Sequence, residues 1–280
     1  MADIEIRAHE GAGVEILGID VANMSDNTFE TVRNAYADHG LVFFRDQSLS
    51  EERHIELARR FGEINVNRFF TPNPRHPEIA MVVKEPDQKT NIGGGWHTDH
   101  SYDVEPAMGS ILVARELPRD GGDTWFVSMY NALDNLSEGL IRTLRTLNAV
   151  HSAKHVFGSQ SDHPRSAQGR LGNSEAADVL PDPVHPMIIR HPLSGREALY
   201  VNPGFTLRID GWTAEESAPL LNHLYERAVT EDAICKFQWR PGSVAFWDNR
   251  ATWHFAQNNY DGERREMHRI TLEGCALTAA

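Results

Sequence analysis

The chain is poor in cysteine, in long apolar runs and in basic clusters, and each shortage closes off a class of protein. Its 280 residues include only Cys235 and Cys275, too few for a disulfide framework and in keeping with a reducing compartment. Apolar runs such as Val42-Phe43-Phe44 and Met81-Val82-Val83 are short, far below membrane-spanning length. The opening Met1-Ala2-Asp3-Ile4-Glu5 lacks the basic start and apolar stretch of a secretory signal, so a soluble, cytoplasmic protein is expected. Net charge is −13, and basic residues gather only in pairs such as Arg59-Arg60 and Arg264-Arg265, which argues against nucleic acid as a partner. Repeats, heptads and low-complexity tracts are also missing.

What the chain does have is histidine. There are fourteen, of which two or three are expected to carry chemistry, since imidazole is the commonest metal ligand and proton carrier near neutral pH. Length and composition suit one large domain. Phe29, Val32 and Tyr36 at i, i+3, i+7 predict a helix capped by Asp26 or Asn27 and ended by Gly40. Ser48-Leu49-Ser50-Glu51 reads as a capping box for a second helix through Phe61, and Tyr130 to Leu147 as a third. Strands are expected at 41–44, 79–83, 108–114, 187–190 and 198–201, with a strand-rich end over 236–273. Strands dominate the middle and end while helices stand apart, which suits a β-sandwich or barrel decorated by helices rather than βαβ units. The polar stretch 159–186 has the length and composition of a lid-like insertion.

Two segments concentrate chemistry. In Gly93-Gly94-Gly95-Trp96-His97-Thr98-Asp99, alternation along a strand would send His97 and Asp99 to one face. In Trp247-Asp248-Asn249-Arg250-Ala251-Thr252-Trp253-His254, the last residue would complete a set of two imidazoles and a carboxylate. On one face of an iron, that set leaves positions open for a cosubstrate and O2. After a turn at Asn258-Asn259-Tyr260-Asp261-Gly262, a strand would place Arg265, Met267 and Arg269 on one face. Inward-facing arginines are costly unless anions meet them, and a guanidinium takes a carboxylate or sulfonate through two hydrogen bonds. Taken alone, this strand reads equally as a surface strand paired with Glu263, Glu266 and Glu273.

These residues resemble the taurine dioxygenase / 2,4-dichlorophenoxyacetate dioxygenase family of iron(II)- and 2-oxoglutarate-dependent enzymes. The likeness runs from about Gly13 to Gly274. It includes Arg60-Phe61-Gly62-Glu63, Trp96-His97-Thr98-Asp99, Glu116-Leu117-Pro118 with Gly121-Gly122-Asp123-Thr124, Trp247 to Thr252 with His254, and Arg264-Arg265 with Met267-His268-Arg269. The resemblance implies a mostly β fold with flanking helices around a double-stranded β-helix (jelly-roll) core. It implies His97, Asp99 and His254 as iron ligands, and Thr124 and Arg265 for the far carboxylate of 2-oxoglutarate. It implies O2 as oxidant, with succinate and CO2 as coproducts of substrate hydroxylation. Arg269 matches the position that holds an anionic substrate head. Dimers or tetramers are frequent in the family.

The resemblance also implies a substrate-binding set in Asn67, Phe70 and Gly93, at positions that are His, Tyr and Asn in taurine enzymes. Losing those polar groups, together with Phe69, Val156, Phe157 and Phe205, suggests a larger apolar body behind an anionic head. Val150-His151-Ser152-Ala153 with Val156-Phe157-Gly158 looks closer to the aryloxyalkanoate branch, so a small carboxylate with an aryl or alkyl body is the preferred substrate. The alternatives are a taurine or alkylsulfonate oxygenase and a non-catalytic jelly-roll binding protein. A halogenase is disfavoured because Asp99 is present, and a zinc hydrolase would leave Thr124 and Arg265 without purpose. His100 and His268 are expected to point away from the site, and the His151/His155 pair lacks a third metal ligand.

Overall fold

Leu41–Phe44 and Val244–Asp248 are buried at every position, and strands of that kind need cover on both faces. In the computed structural model, which describes residues 4–161, 171 and 174–280, they lie side by side in the middle of an eight-stranded sheet. Its order is Glu5–Ala8, Val14–Leu17, Leu41–Phe44, Val244–Asp248, Gly109–Glu116, Arg265–Leu272 and Ile64–Asn65, with Ala80–Lys84 also bonded to Arg265–Leu272. Neighbours are antiparallel except Val14–Leu17 with Leu41–Phe44. A second sheet, Cys235–Phe237, Thr124–Ser128 and Thr252–Ala256, packs on its inner face through Phe43, Leu112, Phe126, Phe237, Trp247 and Met267.

The outer face is covered by two helices, Asp26–His39 and Glu51–Phe61. Phe29, Val32, Tyr36, Ile55 and Ala58 meet Val42, Phe44, Ile111 and Phe246 there, and Tyr36 stacks on Phe246 at 3.9 Å. Burying each large apolar side chain contributes about 1.5–3 kcal/mol. Gly40 closes the first helix in the left-handed region (φ 67°), donating its N–H to the Tyr36 carbonyl. Two further three-stranded sheets and the helix Ala214–Ala228, which opens on a Thr213–Glu216 capping box, enclose a separate core around Leu199, Leu221 and Trp253.

The molecule is mostly β with several helices, as expected, and three local expectations are corrected. Ser25, not Asp26 or Asn27, caps the first helix, accepting from the Thr28 N–H. Ser50 rather than Ser48 caps the second. The helix expected from Tyr130 to Leu147 is two helices, Met129–Asp134 and Glu138–Leu144, because Ser137 starts a new N-cap three residues past the first. Part of the expected lid, positions 162–170, 172 and 173, lies outside the described residues. Among the described residues no helix is long and apolar enough to cross a membrane.

Candidate metal centre and active-site cavity

His254 sits on the strand Thr252–Ala256 opposite Phe126, so its ring faces the space between the two sheets. His97 is brought to it by the backbone alone. The two residues form an isolated antiparallel bridge, with N–H to O=C distances of 3.2 and 2.9 Å, and their rings lie 4.1 Å apart. The strand expected through His97 and Asp99 therefore does not form. The chain leaves the bridge in a turn that passes through His100 in the left-handed region (φ 60°), and this turn delivers Asp99. His97 Nε2 lies 3.7 Å from Asp99 Oδ1, and His254 Nε2 lies 3.8 Å from Asp99 Oδ2. One donor atom from each of the three residues falls within 4.8 Å of the others, a spacing that a single ion bridges. The Gly95 carbonyl holds His97 Nδ1 at 2.7 Å, which fixes the ring and turns Nε2 toward the other donors.

The turn is heavily braced. Thr98 Oγ1 donates to the Asn249 carbonyl, Asn202 Nδ2 donates to Ser101 Oγ at 2.9 Å, and His185 Nε2 meets the Ser101 and Asp103 carbonyls at 3.0 Å. His100, expected to be structural, bonds Asp103 Oδ2 at 2.8 Å through Nδ1 and Asn67 at 3.2 Å through Nε2. Both oxygens of Asp103 also accept from Arg68 Nη2 at 2.8 Å. The second segment is braced in the same way. Asp248 takes Arg250 through two bonds of 2.8 and 2.7 Å and His191 at 3.0 Å, all fully or nearly fully buried. Burial opposes ionisation of Asp248, but Arg250 and then His191 hold it well below the usual carboxylate range.

Beside the three donors lies a cavity of about 530 Å³. Thr124 and Arg265 line one side, both buried. The strand Arg265–Leu272 is paired on both edges, so Arg265, Met267 and Arg269 all point inward. Arg265 Nε and Nη2 are buried with no hydrogen-bond partner among the described residues, and burial disfavours the charged guanidinium. A buried cation left in that state is an anion site in waiting. Arg269 Nη1 donates to Asp99 Oδ2 at 2.9 Å, its Nε and Nη2 are buried with no hydrogen-bond partner among the described residues, and its guanidinium lies 4.4 Å from the centre of the Phe70 ring. Burial would raise the Asp99 carboxyl, but Arg269 first, then His254 and His97, hold it well below the usual carboxylate range.

Of the expected substrate residues, Phe70, Gly93, Val156, Phe157, Phe205 and Arg269 line the cavity. Asn67 does not. Its Oδ1 accepts from the Phe69 and Phe70 N–H groups at 2.9 and 3.2 Å and its Nδ2 faces His100, so the side chain is committed to the turn. His268 points to the opposite side of its strand and bonds Glu266 at 2.9 Å, as expected. His151 and His155 do not form a helical pair: His151 is on the strand Asn148–His151, near His185 and Tyr200.

The family profile described as "Taurine catabolism dioxygenase TauD, TfdA family" matches residues 5–271. The chain belongs to that family. It is an iron(II)- and 2-oxoglutarate-dependent dioxygenase, an oxidoreductase using O2. A relative from Saccharomyces cerevisiae, an alpha-ketoglutarate-dependent sulfonate dioxygenase, is 31% identical over 272 residues, covering 92% of this chain and 64% of its own length. This TauD/TfdA-family enzyme therefore spans just under two thirds of the yeast protein. The (S)-phenoxypropionate/alpha-ketoglutarate-dioxygenase of Sphingobium herbicidovorans is 30% identical over 247 residues, 87% of this chain and 85% of that one. A solved taurine dioxygenase from Burkholderia xenovorans superimposes with a TM-score of 0.80 at 30% identity, covering 99% and 93% of the two chains.

Two cavity residues of this family member, Tyr102 and Gly204, and one residue behind the cavity wall, Trp239, carried no signal in the sequence. Trp239 Nε1 donates to Thr124 Oγ1 at 2.9 Å, which leaves the hydroxyl hydrogen free to turn toward the cavity. Tyr102 packs its ring 4.7 Å from Phe205 at the apolar end. Gly204 lies against His97: a Cβ there would stand 2.7 Å from His97 Cβ and 3.5 Å from its Cα. Those are not flexible ends, so Gly204→Ala must shift His97 itself. We expect the variant to fold and to lose about 10- to 100-fold in divalent metal affinity, the usual cost of disturbing a ligand's support. Manganese(II) titration followed by electron paramagnetic resonance measures this, and unchanged affinity would show that the backbone at 204 yields instead.

Proposed function

We propose that this enzyme hydroxylates a small organic anion with a single acidic head and an aryl or alkyl body, a carboxylate of the aryloxyalkanoate kind, with succinate and CO2 as coproducts. The observation that carries the reading is the distribution of charge in the cavity. Among the described residues its cationic side chains are Arg265 and Arg269, and Phe70, Tyr102, Val156, Phe157 and Phe205 supply an apolar wall. One guanidinium is taken up by the cosubstrate and one is left for substrate. An apolar wall beside a lone anion site suits a substrate whose remaining atoms want no hydrogen bonds.

In this reading His97, Asp99 and His254 hold iron(II), which when bound supplies oxidative decarboxylation of the keto acid and removal of hydrogen from substrate. Arg265, with Thr124, binds the far carboxylate of 2-oxoglutarate and so fixes how deep the keto acid sits. Arg269 binds the substrate's acidic head and thereby sets which C–H bond faces the metal. The aromatic wall excludes water from that bond. The chain is read as one domain on a double-stranded β-helix, an architecture in keeping with two facing antiparallel sheets and with its family.

A second reading, a sulfonate substrate, is favoured by the S. cerevisiae and B. xenovorans relatives, and a guanidinium accepts either head. Products separate the two. Hydroxylation at the carbon bearing an ether oxygen gives a hemiacetal that releases a phenol, whereas hydroxylation beside sulfur releases sulfite. We expect succinate formation with iron(II) and 2-oxoglutarate to be stimulated by 2-phenoxyalkanoates with phenol release. Stimulation by alkylsulfonates with sulfite release would move the assignment to the second reading. Silence across both panels, from protein that binds iron(II) and 2-oxoglutarate, would remove both.

A further inference from the structure

Arg269 bonds the very carboxylate that faces the two imidazoles. Asp99 Oδ1 lies 3.7 Å from His97 Nε2, while Oδ2 lies 3.8 Å from His254 Nε2 and accepts the Arg269 Nη1–H at 2.9 Å. Both side chains are buried, so this bond does not compete with bulk water. The guanidinium has little freedom. Its backbone is paired with Ala80 on one side and Leu112 on the other, and its planar group lies over Phe70 at 4.4 Å.

The chemistry of the site gives this bond a purpose. A six-coordinate ion that takes two imidazoles, a keto acid through two atoms and O2 through one has a single position left for Asp99. A carboxylate is able to bind through both oxygens, and if Asp99 did so it would occupy one of the positions the cosubstrates require. Among the described residues, Arg269 Nη1 is the hydrogen-bond donor that holds Oδ2.

We propose that Arg269 is a positioning residue for Asp99: by holding Oδ2, it makes the carboxylate present Oδ1 alone and keeps the remaining position open. The inference rests on the reading of His97, Asp99 and His254 as the metal ligands. It also gives one guanidinium two duties. Nη1 restrains the metal ligand, while Nε and Nη2, buried and without a hydrogen-bond partner among the described residues, remain for the substrate's anion. Arrival of the anion and the geometry of the metal carboxylate are then coupled through a single rigid group.

Cobalt(II)-loaded protein tests this without turnover, because the energies and intensities of the visible bands report coordination number. Arg269→Lys and Arg269→Leu both lose the planar fork, but only the Lys ammonium is long enough to keep donating to Oδ2. We expect the Leu variant to show altered cobalt bands and at least a tenfold loss of 2-oxoglutarate affinity. The Lys variant should return both to within about threefold of the parent while leaving substrate binding impaired. A Leu variant matching the parent in both readouts would overturn the proposal, and so would a Lys variant that restores neither. Failure of the underlying reading looks different: the unmodified protein would then not bind cobalt(II), or its bands would be untouched by His97→Ala.

Discussion

In Arg265→Met the cosubstrate-free protein melts at a higher temperature than the parent, while its affinity for 2-oxoglutarate falls by about 100-fold or more. Both effects come from one feature. Arg265 is buried, and two of its nitrogens find no partner among the described residues. The nearest acid, Asp123, is itself pushed upward by burial and is a weak counterion. A charge kept in that setting costs stability, and methionine fills the same space without it. Each kcal/mol recovered raises the melting temperature by roughly 2–4 °C in a chain of this size. The parent regains the difference only when the cosubstrate arrives, so with manganese(II) present throughout, adding 2-oxoglutarate should raise the parent's transition far more than the variant's. Calorimetry with and without the keto acid decides it. A variant that melts lower than the parent, or responds to 2-oxoglutarate as strongly, would mean that Arg265 is paired in solution and serves the fold.

Asp99→Ala should have the largest effect on activity, and a second substitution should separate its two consequences. Loss of one donor from a three-residue set removes metal binding at micromolar concentrations and succinate formation with it. The same change strands Arg269, whose hydrogen-bond partner among the described residues was Asp99 Oδ2. Breaking a buried pair by removing one member typically costs about 3–5 kcal/mol. In Asp99→Ala/Arg269→Leu the stranded charge is gone, so most of that stability should return while the metal stays lost. Denaturant unfolding of the parent, both single variants and the double forms a cycle whose coupling term measures the pair. A coupling near zero would show that water or a rearranged side chain satisfies Arg269.

How the site could be anticipated depends on what each residue contributes. His97, Asp99, His254, Arg265 and Arg269 were legible because each brings an uncommon chemistry at a spacing that suggests an inward face, whereas Thr124 was reached only through the family resemblance. Arg265 and Arg269 in particular are two residues either side of Met267, and strand alternation does the rest. The route to Asp99 was not legible. His97 and Asp99 have the spacing of a strand, but the chain pairs only at His97 and then turns through His100, a conformation nothing local demands. Asn67 was misplaced for a related reason: a position aligned with a substrate ligand says nothing about whether its amide is already spent on the Phe69 and Phe70 N–H groups. Trp239 and Gly204 act through contacts with residues far along the chain, Thr124 and His97, and such contacts leave no periodic trace.

The backbone bridge between His97 and His254 has a consequence for synthesis. The strand Leu41–Phe44 lies between Val14–Leu17 and Val244–Asp248, and the latter is synthesised long after it. The large sheet therefore stays split until Val244–Asp248 has been made, and contacts so distant in sequence form slowly. Until they form, His97 and Asp99 have no His254 beside them. The three donors are thus assembled by the same pairing that closes the walls around them.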